Sequence, residues 1–182
     1  MKRLVPFAAV LLICGALFAQ TDSNVKKMPG YIDLEQIKIP DSAEEVTDIS
    51  IGPSLLNLIA QSSDSSEAEG MKGIMSIRVK SFAIGEKADA GIKEQIEKIL
   101  KKISDENWET LVKVKDSDEI TNISIKTVKG KAVGLLILTY EPGDEVTLVN
   151  VCGNKIDLSS IKNMGMGFGD YGLDGIDIDL DF

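Results

Sequence analysis

Carboxylates are the side chains through which this sequence could do chemistry. Its 182 residues include 29 Asp and Glu, two Cys and no His. The absence of histidine excludes the Ser-His-Asp and Cys-His hydrolases and the histidine-dependent zinc sites. Acidic pairs occur at 44–45, 105–106 and 118–119, but any surface this acidic is expected to carry such pairs, so none is assigned as catalytic. The sequence predicts no catalytic or cofactor-binding residue, and it favours a protein that is not an enzyme.

Three aspartates near the end of the sequence have the spacing of calcium ligands. Asp177, Asp179 and Asp181 occupy alternate positions, as do the first three ligands of a calcium-binding loop. The glycine and the bidentate glutamate that complete such a loop are missing. A solvated acidic tail is therefore the preferred interpretation, with calcium binding as the alternative. Apolar residues alternate with these aspartates, so an added edge strand is a further alternative.

The two cysteines have different predicted roles. Cys14 lies in a Leu-Leu-Ile-Cys-Gly stretch that resembles a lipoprotein box, in which the cysteine would be lipidated. Ile13 stands where such boxes carry a small residue, so lipidation is the alternative to ordinary cleavage. Cys152 lies in an apolar strand with no histidine to activate it, which predicts a buried and inert thiol.

The N-terminus has the pattern of a secretory signal peptide. A basic head at 2–3 precedes an apolar run at 4–18 that is too short to span a bilayer comfortably. Cleavage is predicted after Ala19, although Leu17 stands at a position that prefers a small residue. The sequence therefore predicts a periplasmic or secreted protein without a transmembrane span after cleavage.

The charge of the mature chain limits the classes of partner. The whole chain has a net charge of −9, and removal of Lys2 and Arg3 with the leader leaves 18 basic and 29 acidic residues, a net charge of −11. Such a surface repels nucleic acid and anionic lipid headgroups, so neither is an expected partner. The mature length of about 160 residues suits one domain that needs no disulfide.

The segment 121–158 is predicted to form the centre of the fold. Its strand at 132–140 is apolar on both faces, with Val133, Leu135 and Ile137 on one face and Leu136, Leu138 and Tyr140 on the other. A strand of this kind needs cover on both sides.

The remaining periodicities predict the other elements. Strands are predicted at 45–51, 74–84, 107–114, 120–128 and 146–152, helices at 53–61 and 89–103, a loop at 62–70, and an ordered lead-in that ends at Pro40. Short turns between the later strands require antiparallel neighbours. The predicted fold is α+β, with two layers: a mostly antiparallel sheet of about six strands, and two main helices on one face.

These elements divide the chain into four predicted parts. They are a signal peptide at 1–19, a disordered N-terminus at 20–27, a single α+β domain at 28–164 and a Gly/Asp-rich tail at 165–182. Two helices can cover only one face of such a sheet. One apolar face of the strand at 132–140 must then meet the lead-in, the tail or a partner, which makes its six apolar residues candidates for a partner-facing surface.

Several segments together resemble the bacterial domain of unknown function 4252. They are Pro-Gly-Tyr-Ile-Asp at 29–33, the strand and helix at 46–58 around Ile-Gly-Pro, the strand at 77–84, Trp-Glu at 108–109, and Val-Asn-Val-Cys-Gly at 149–153. The resemblance covers residues 28 to about 164. It implies a small exported α+β protein of bacterial envelopes, and it assigns no activity to any residue.

The first functional hypothesis is a non-enzymatic envelope protein that acts through an unknown protein partner or in a structural role. Two alternatives stay open. One is a carboxylate-based hydrolase of envelope glycans, which requires a pocket with two carboxylates roughly 5 to 9.5 Å apart. The other is a calcium-responsive adhesive protein that uses the C-terminal aspartates. The sequence names no cofactor.

Overall fold

The computed structural model describes residues 24–158, except 64, 86–88 and 117–118. The predicted signal peptide, Cys14, the tail at 165–182 and its calcium candidates Asp177, Asp179 and Asp181 lie outside the described residues. Of the segment 20–27 only residues 24–27 are described; residues 24 and 25 are helical, residues 26 and 27 form a turn, and Val25 is buried.

The described chain forms one six-stranded antiparallel sheet with three helices, which confirms an α+β fold with about six strands. In chain order the elements are β1 (Glu44–Ile51), α1 (Pro53–Ser62), α2 (Ser65–Met71), β2 (Ile74–Ala83), α3 (Asp89–Asp105), β3 (Glu109–Asp116), β4 (Glu119–Val128), β5 (Lys131–Tyr140) and β6 (Glu145–Gly153). Across the sheet the order is β1-β2-β6-β5-β4-β3. The predicted central strand, β5, therefore lies inside the sheet and β1 and β3 lie at its edges.

The predicted loop at 62–70 is wrong, because most of it forms α2. Its residues include Glu67, Ala68 and Glu69, which favour a helix, and α2 contacts α1. The polar composition of this stretch indicated a loop because it offers little to bury. A short helix supported by a neighbouring helix needs less burial than an isolated one.

Two apolar clusters cover the two faces of the sheet. The first, which we call the α3 face, joins the apolar stripe of α3 and the lead-in to Leu136, Leu138 and Tyr140 of β5. The second, the α1 face, joins Leu56 of α1 to Leu135 and Ile137. The prediction that both helices share one face is therefore wrong, since α1 and α3 pack on opposite faces of the sheet.

The lead-in supplies the cover that helices alone could not give to the α3 face. Ile32, Leu34 and Ile37 are each 1% exposed and belong to the same cluster as α3. A 3-10 helix, Leu34–Gln36, begins after Asp33, whose side chain accepts a hydrogen bond from the Glu35 amide. The lead-in is thus a folded part of the domain, as the sequence predicts.

Candidate binding groove

Asn150 fixes the lead-in to the α3 face. Its side chain is buried in β6 and makes three hydrogen bonds. The Oδ1 atom accepts a hydrogen bond from the Ile32 amide at 2.9 Å, and Nδ2 donates to the carbonyl oxygens of Gly30 and Leu135 at 3.0 Å each. One amide side chain therefore joins the lead-in to two neighbouring strands, β6 and β5.

Two glycines allow the lead-in backbone and an indole ring to lie directly on β5. A Cβ atom added at Gly134 would stand 2.5 Å from the Gly30 Cα and 2.8 Å from the Trp108 Cη2. Both distances are shorter than two carbon atoms tolerate, so the added Cβ would force the surrounding atoms to shift. The Trp108 ring can therefore lie directly over β5, because Gly134 has no side chain that would occupy this space.

The turn after α3 places Trp108 at this position. Asn107 has a φ of 57°, which is the left-handed conformation that ends many helices. The Trp108 amide donates to the Ile103 carbonyl at 3.0 Å, and the Lys126 ammonium donates to the carbonyl oxygens of Glu106 and Asn107. These contacts give the carbonyl groups at the end of α3 their hydrogen-bond donors, and the chain then turns into β3.

A groove of about 520 Å³ lies between the end of α3 and strands β3 and β4, and we call it the Trp108 groove. Its apolar lining consists of Leu100, Ile103, Trp108 and Ile120, and its polar lining includes Ser104, Asn107, Glu109, Thr110, Lys113 and Asn122. The volume falls within the range of about 300–1,000 Å³ that is typical of ligand sites.

Two of the residues that line the Trp108 groove, Trp108 and Asn122, have buried polar groups. The Trp108 indole is 7% exposed and its Nε1–H meets no acceptor among the described residues. Asn122 is also buried, and its Oδ1 accepts from the Ser124 hydroxyl at 2.7 Å. A buried donor without an acceptor costs free energy.

A second polar cluster lies on the same face of the sheet, around Arg78 of β2. Its guanidinium is bonded to the Tyr31 hydroxyl, pairs with Glu35 at 2.9 Å and lies 3.5 Å from Asp33. Burial raises the pKa of the Tyr31 hydroxyl, while the charge of Arg78 opposes that rise. Because these carboxylates pair with a buried cation, the cluster ties down the lead-in and is not free for acid-base chemistry.

Neither of these two concavities of the described residues supports the glycan hydrolase alternative. The pocket beside Arg78 has a volume of about 50 Å³ and one carboxylate, Glu35, in its lining. The Trp108 groove also has a single carboxylate, Glu109. Within the described part of the chain, no group of three or more acidic, cysteine or histidine side chains could hold a metal ion.

The structure places the predicted partner-facing residues in the interior. Leu135 and Ile137 lie on the α1 face, Leu136, Leu138 and Tyr140 lie on the α3 face, Val133 is also buried, and each of the six is at most 7% exposed. These residues offer no exposed surface to a partner. The lead-in and α3 cover one side of β5, and the apolar cluster of the α1 face covers the other side.

The polar residues that shape the site were not assigned from the sequence. Arg78 lies in a strand whose alternation indicated only a half-buried pattern, yet it is 7% exposed. Asn122 and Asn150 interrupt apolar strands, and a polar amide in such a strand is the one signal that could have marked them. Trp108 was one of the residues on which the family resemblance rests, but the sequence predicted no role for it.

Cys152 is a buried thiol, as its apolar strand indicates. Its side chain is 0% exposed, and burial raises its pKa to about 11. At pH 8 a chain without residues 1–19 should react with dithionitrobenzoate on the order of 100-fold more slowly when folded than in denaturant, because the folded protein offers neither a thiolate nor access to the sulfur. Equal rates in the two states would contradict this burial.

Comparison with known proteins gives a family but no activity. A family model described as Domain of unknown function (DUF4252) matches residues 41–164, so the match begins just after the lead-in. No curated protein matches the chain. In the part of the chain that the structure describes, no helix is long and apolar enough to cross a membrane.

Proposed function

The chain belongs to the DUF4252 family, and we propose that it is a non-enzymatic binding module of the cell envelope whose Trp108 groove receives an apolar segment of a protein partner. The observation that carries this proposal is the groove itself, which combines a volume of about 520 Å³ with a lining of four apolar and six polar residues. Binding sites are usually concave and combine apolar side chains with placed polar groups.

The polar groups of the groove favour a segment that offers acceptors. The Trp108 Nε1–H meets no acceptor among the described residues, and four apolar side chains line the groove. A peptide segment with an apolar side chain and backbone carbonyls meets both requirements. Aromatic residues such as Trp108 are also enriched where interfaces concentrate their binding energy.

Export is the second part of the proposal, and the signal pattern at 1–19 supports it. We expect the intact mass of protein recovered from the envelope or medium to correspond to a chain that begins at Gln20. A lipid-modified chain that begins at Cys14 would contradict ordinary cleavage. A cytoplasmic protein that keeps Met1 would contradict export.

The only tryptophan of the chain reports directly on the groove. Titration with anilinonaphthalene sulfonate, an apolar anion, should quench the emission of Trp108 and transfer its energy to the bound dye. Ser104→Tyr adds bulk at an exposed groove position and should weaken this binding at least tenfold. Ser54→Tyr, at an exposed position of α1, is the matched control and should leave the titration unchanged.

Two results of this titration would overturn the groove as the binding site. One is an emission of Trp108 that does not respond to the dye at any concentration below that at which the protein unfolds. The other is a response that is the same in the Ser104→Tyr variant and in the Ser54→Tyr control, since the dye would then bind elsewhere.

A further inference from the structure

The strand β3 is an edge with no neighbour on its outer side among the described strands. It pairs with β4 alone, and six of its eight residues are exposed. Val114 of this strand is 54% exposed. An edge of this kind presents free backbone amides and carbonyls and can pair with a further strand.

The two faces of β3 differ sharply in character. The register with β4 pairs Val112 with Ile123 and Val114 with Thr121, which places both valines on the α1 face. Lys113 and Lys115 point to the α3 face and form no ion pair within the described part of the chain. The edge therefore offers an apolar row on one side and a basic row on the other.

The C-terminal segment 176–182 has the complementary pattern. It alternates Ile176, Ile178, Leu180 and Phe182 with Asp177, Asp179 and Asp181. Because side chains alternate across a strand, this segment would place apolar residues beside the valines and aspartates beside the lysines. The match holds for a parallel or an antiparallel partner.

The opposite edge of the sheet is a poorer partner for this segment. The strand β1 carries Glu44, Glu45 and Asp48, and Asp48 already pairs with Lys80 at 3.3 Å. Like charges on neighbouring strands repel each other. Electrostatics therefore select β3 over β1 for an acidic strand.

The connection is long enough to reach β3. Residues 159–175 form a link of 17 residues between Leu158 and the alternating segment. A glycine-rich link of this length has a root-mean-square span of roughly 23 Å. Four strand spacings of about 4.8 Å, roughly 19 Å, separate β6 from the outer side of β3.

We infer that residues 176–182 of the same chain pair with β3 as an additional edge strand. The tail aspartates Asp177, Asp179 and Asp181 then neutralise Lys113 and Lys115, and the tail apolar residues cover Val114. The inference goes beyond the proposed function and does not depend on the Trp108 groove having a partner.

Hydrogen exchange of the full-length chain tests this pairing without assuming a register. Backbone amides in 176–182 and in β3 should exchange at least tenfold more slowly than in an unfolded chain. A tail-reversal variant, Asp177→Lys with Asp179→Lys and Asp181→Lys, should remove the protection of the tail and of the outer β3 amides. Adding Lys113→Asp and Lys115→Asp to that variant should restore it.

A matched control separates pairing from general charge. Lys129→Asp with Lys131→Asp, at the turn between β4 and β5, should not restore protection to the tail-reversal variant. Exchange of the tail at unfolded rates in the full-length chain would overturn the inference. So would protection that survives the charge reversal, or protection that disappears on dilution, which would assign the strand to a second copy of the chain.

Discussion

Replacing Asn150 with alanine is expected to lower the free energy of unfolding by about 4 kcal/mol. The substitution leaves the Ile32 amide and the carbonyl oxygens of Gly30 and Leu135 without the partner that they have in the native protein. Each buried polar group that loses its partner costs about 1–3 kcal/mol. Urea unfolding of a chain without residues 1–19, followed by circular dichroism, measures the change.

The control for this prediction is Asn154→Ala. Asn154 is exposed just after β6, and its backbone amide donates to the Gly73 carbonyl, so its side chain can be removed with a change within about 0.5 kcal/mol. A loss below about 1 kcal/mol for Asn150→Ala would show that the lead-in is not held by this amide.

Replacing Gly134 with alanine is expected to cost about 3 kcal/mol and to move Trp108. The new Cβ would lie 2.5 Å from the Gly30 Cα, 2.8 Å from the Trp108 Cη2 and 2.9 Å from the Gly30 carbonyl oxygen. Two of these atoms belong to backbone, so a side-chain rotation cannot relieve the contact. Thermal unfolding gives the stability change, and the emission maximum of Trp108 reports its displacement.

Gly91→Ala is the matched control, because a Cβ at Gly91 meets nothing within 4 Å. Gly91 lies inside α3, where alanine stabilises a helix by roughly 0.5–1 kcal/mol relative to glycine. The two Gly→Ala changes are thus expected to have opposite signs. A Gly134→Ala protein as stable as the native chain, with unchanged Trp108 emission, would contradict the close contact of lead-in, indole and β5.

The elements that could be predicted were those with a strong local period. The apolar stripe of α3 from Ile92 to Ile103 identified that helix, and the apolar residues of β5 on both faces identified a central strand. Both patterns depend only on residues that are close together in the sequence, so they can be recognised without knowledge of the fold.

The layering could not be predicted, because it depends on contacts between distant segments. The sequence places Arg78 and Lys80 on the polar side of a half-buried strand, yet both are buried. The lead-in covers them: Glu35 pairs with Arg78, and the Ile37 carbonyl accepts from the Lys80 ammonium at 3.4 Å. Basic side chains can be buried when such partners are present, and no periodicity reveals the partners.

The Trp108 groove was hidden from the sequence for the same reason. It forms where the end of α3 meets β3 and β4, and its buried amide, Asn122, lies 14 residues after Trp108 along the chain. A single tryptophan at the start of a strand is ordinarily a core residue. Its role in a groove follows only from the left-handed turn at Asn107 and the bare backbone of Gly134.

Photocrosslinking in the organism that makes the protein tests the central claim most directly. With p-benzoylphenylalanine in place of Thr110, a groove residue, the account predicts one discrete adduct with a second protein. The same group in place of Ser54, on α1, should give no such adduct, and Ser104→Tyr should abolish the adduct formed at 110. Identical adducts from both positions, or an adduct at 110 that persists with Ser104→Tyr, would contradict a partner in the Trp108 groove.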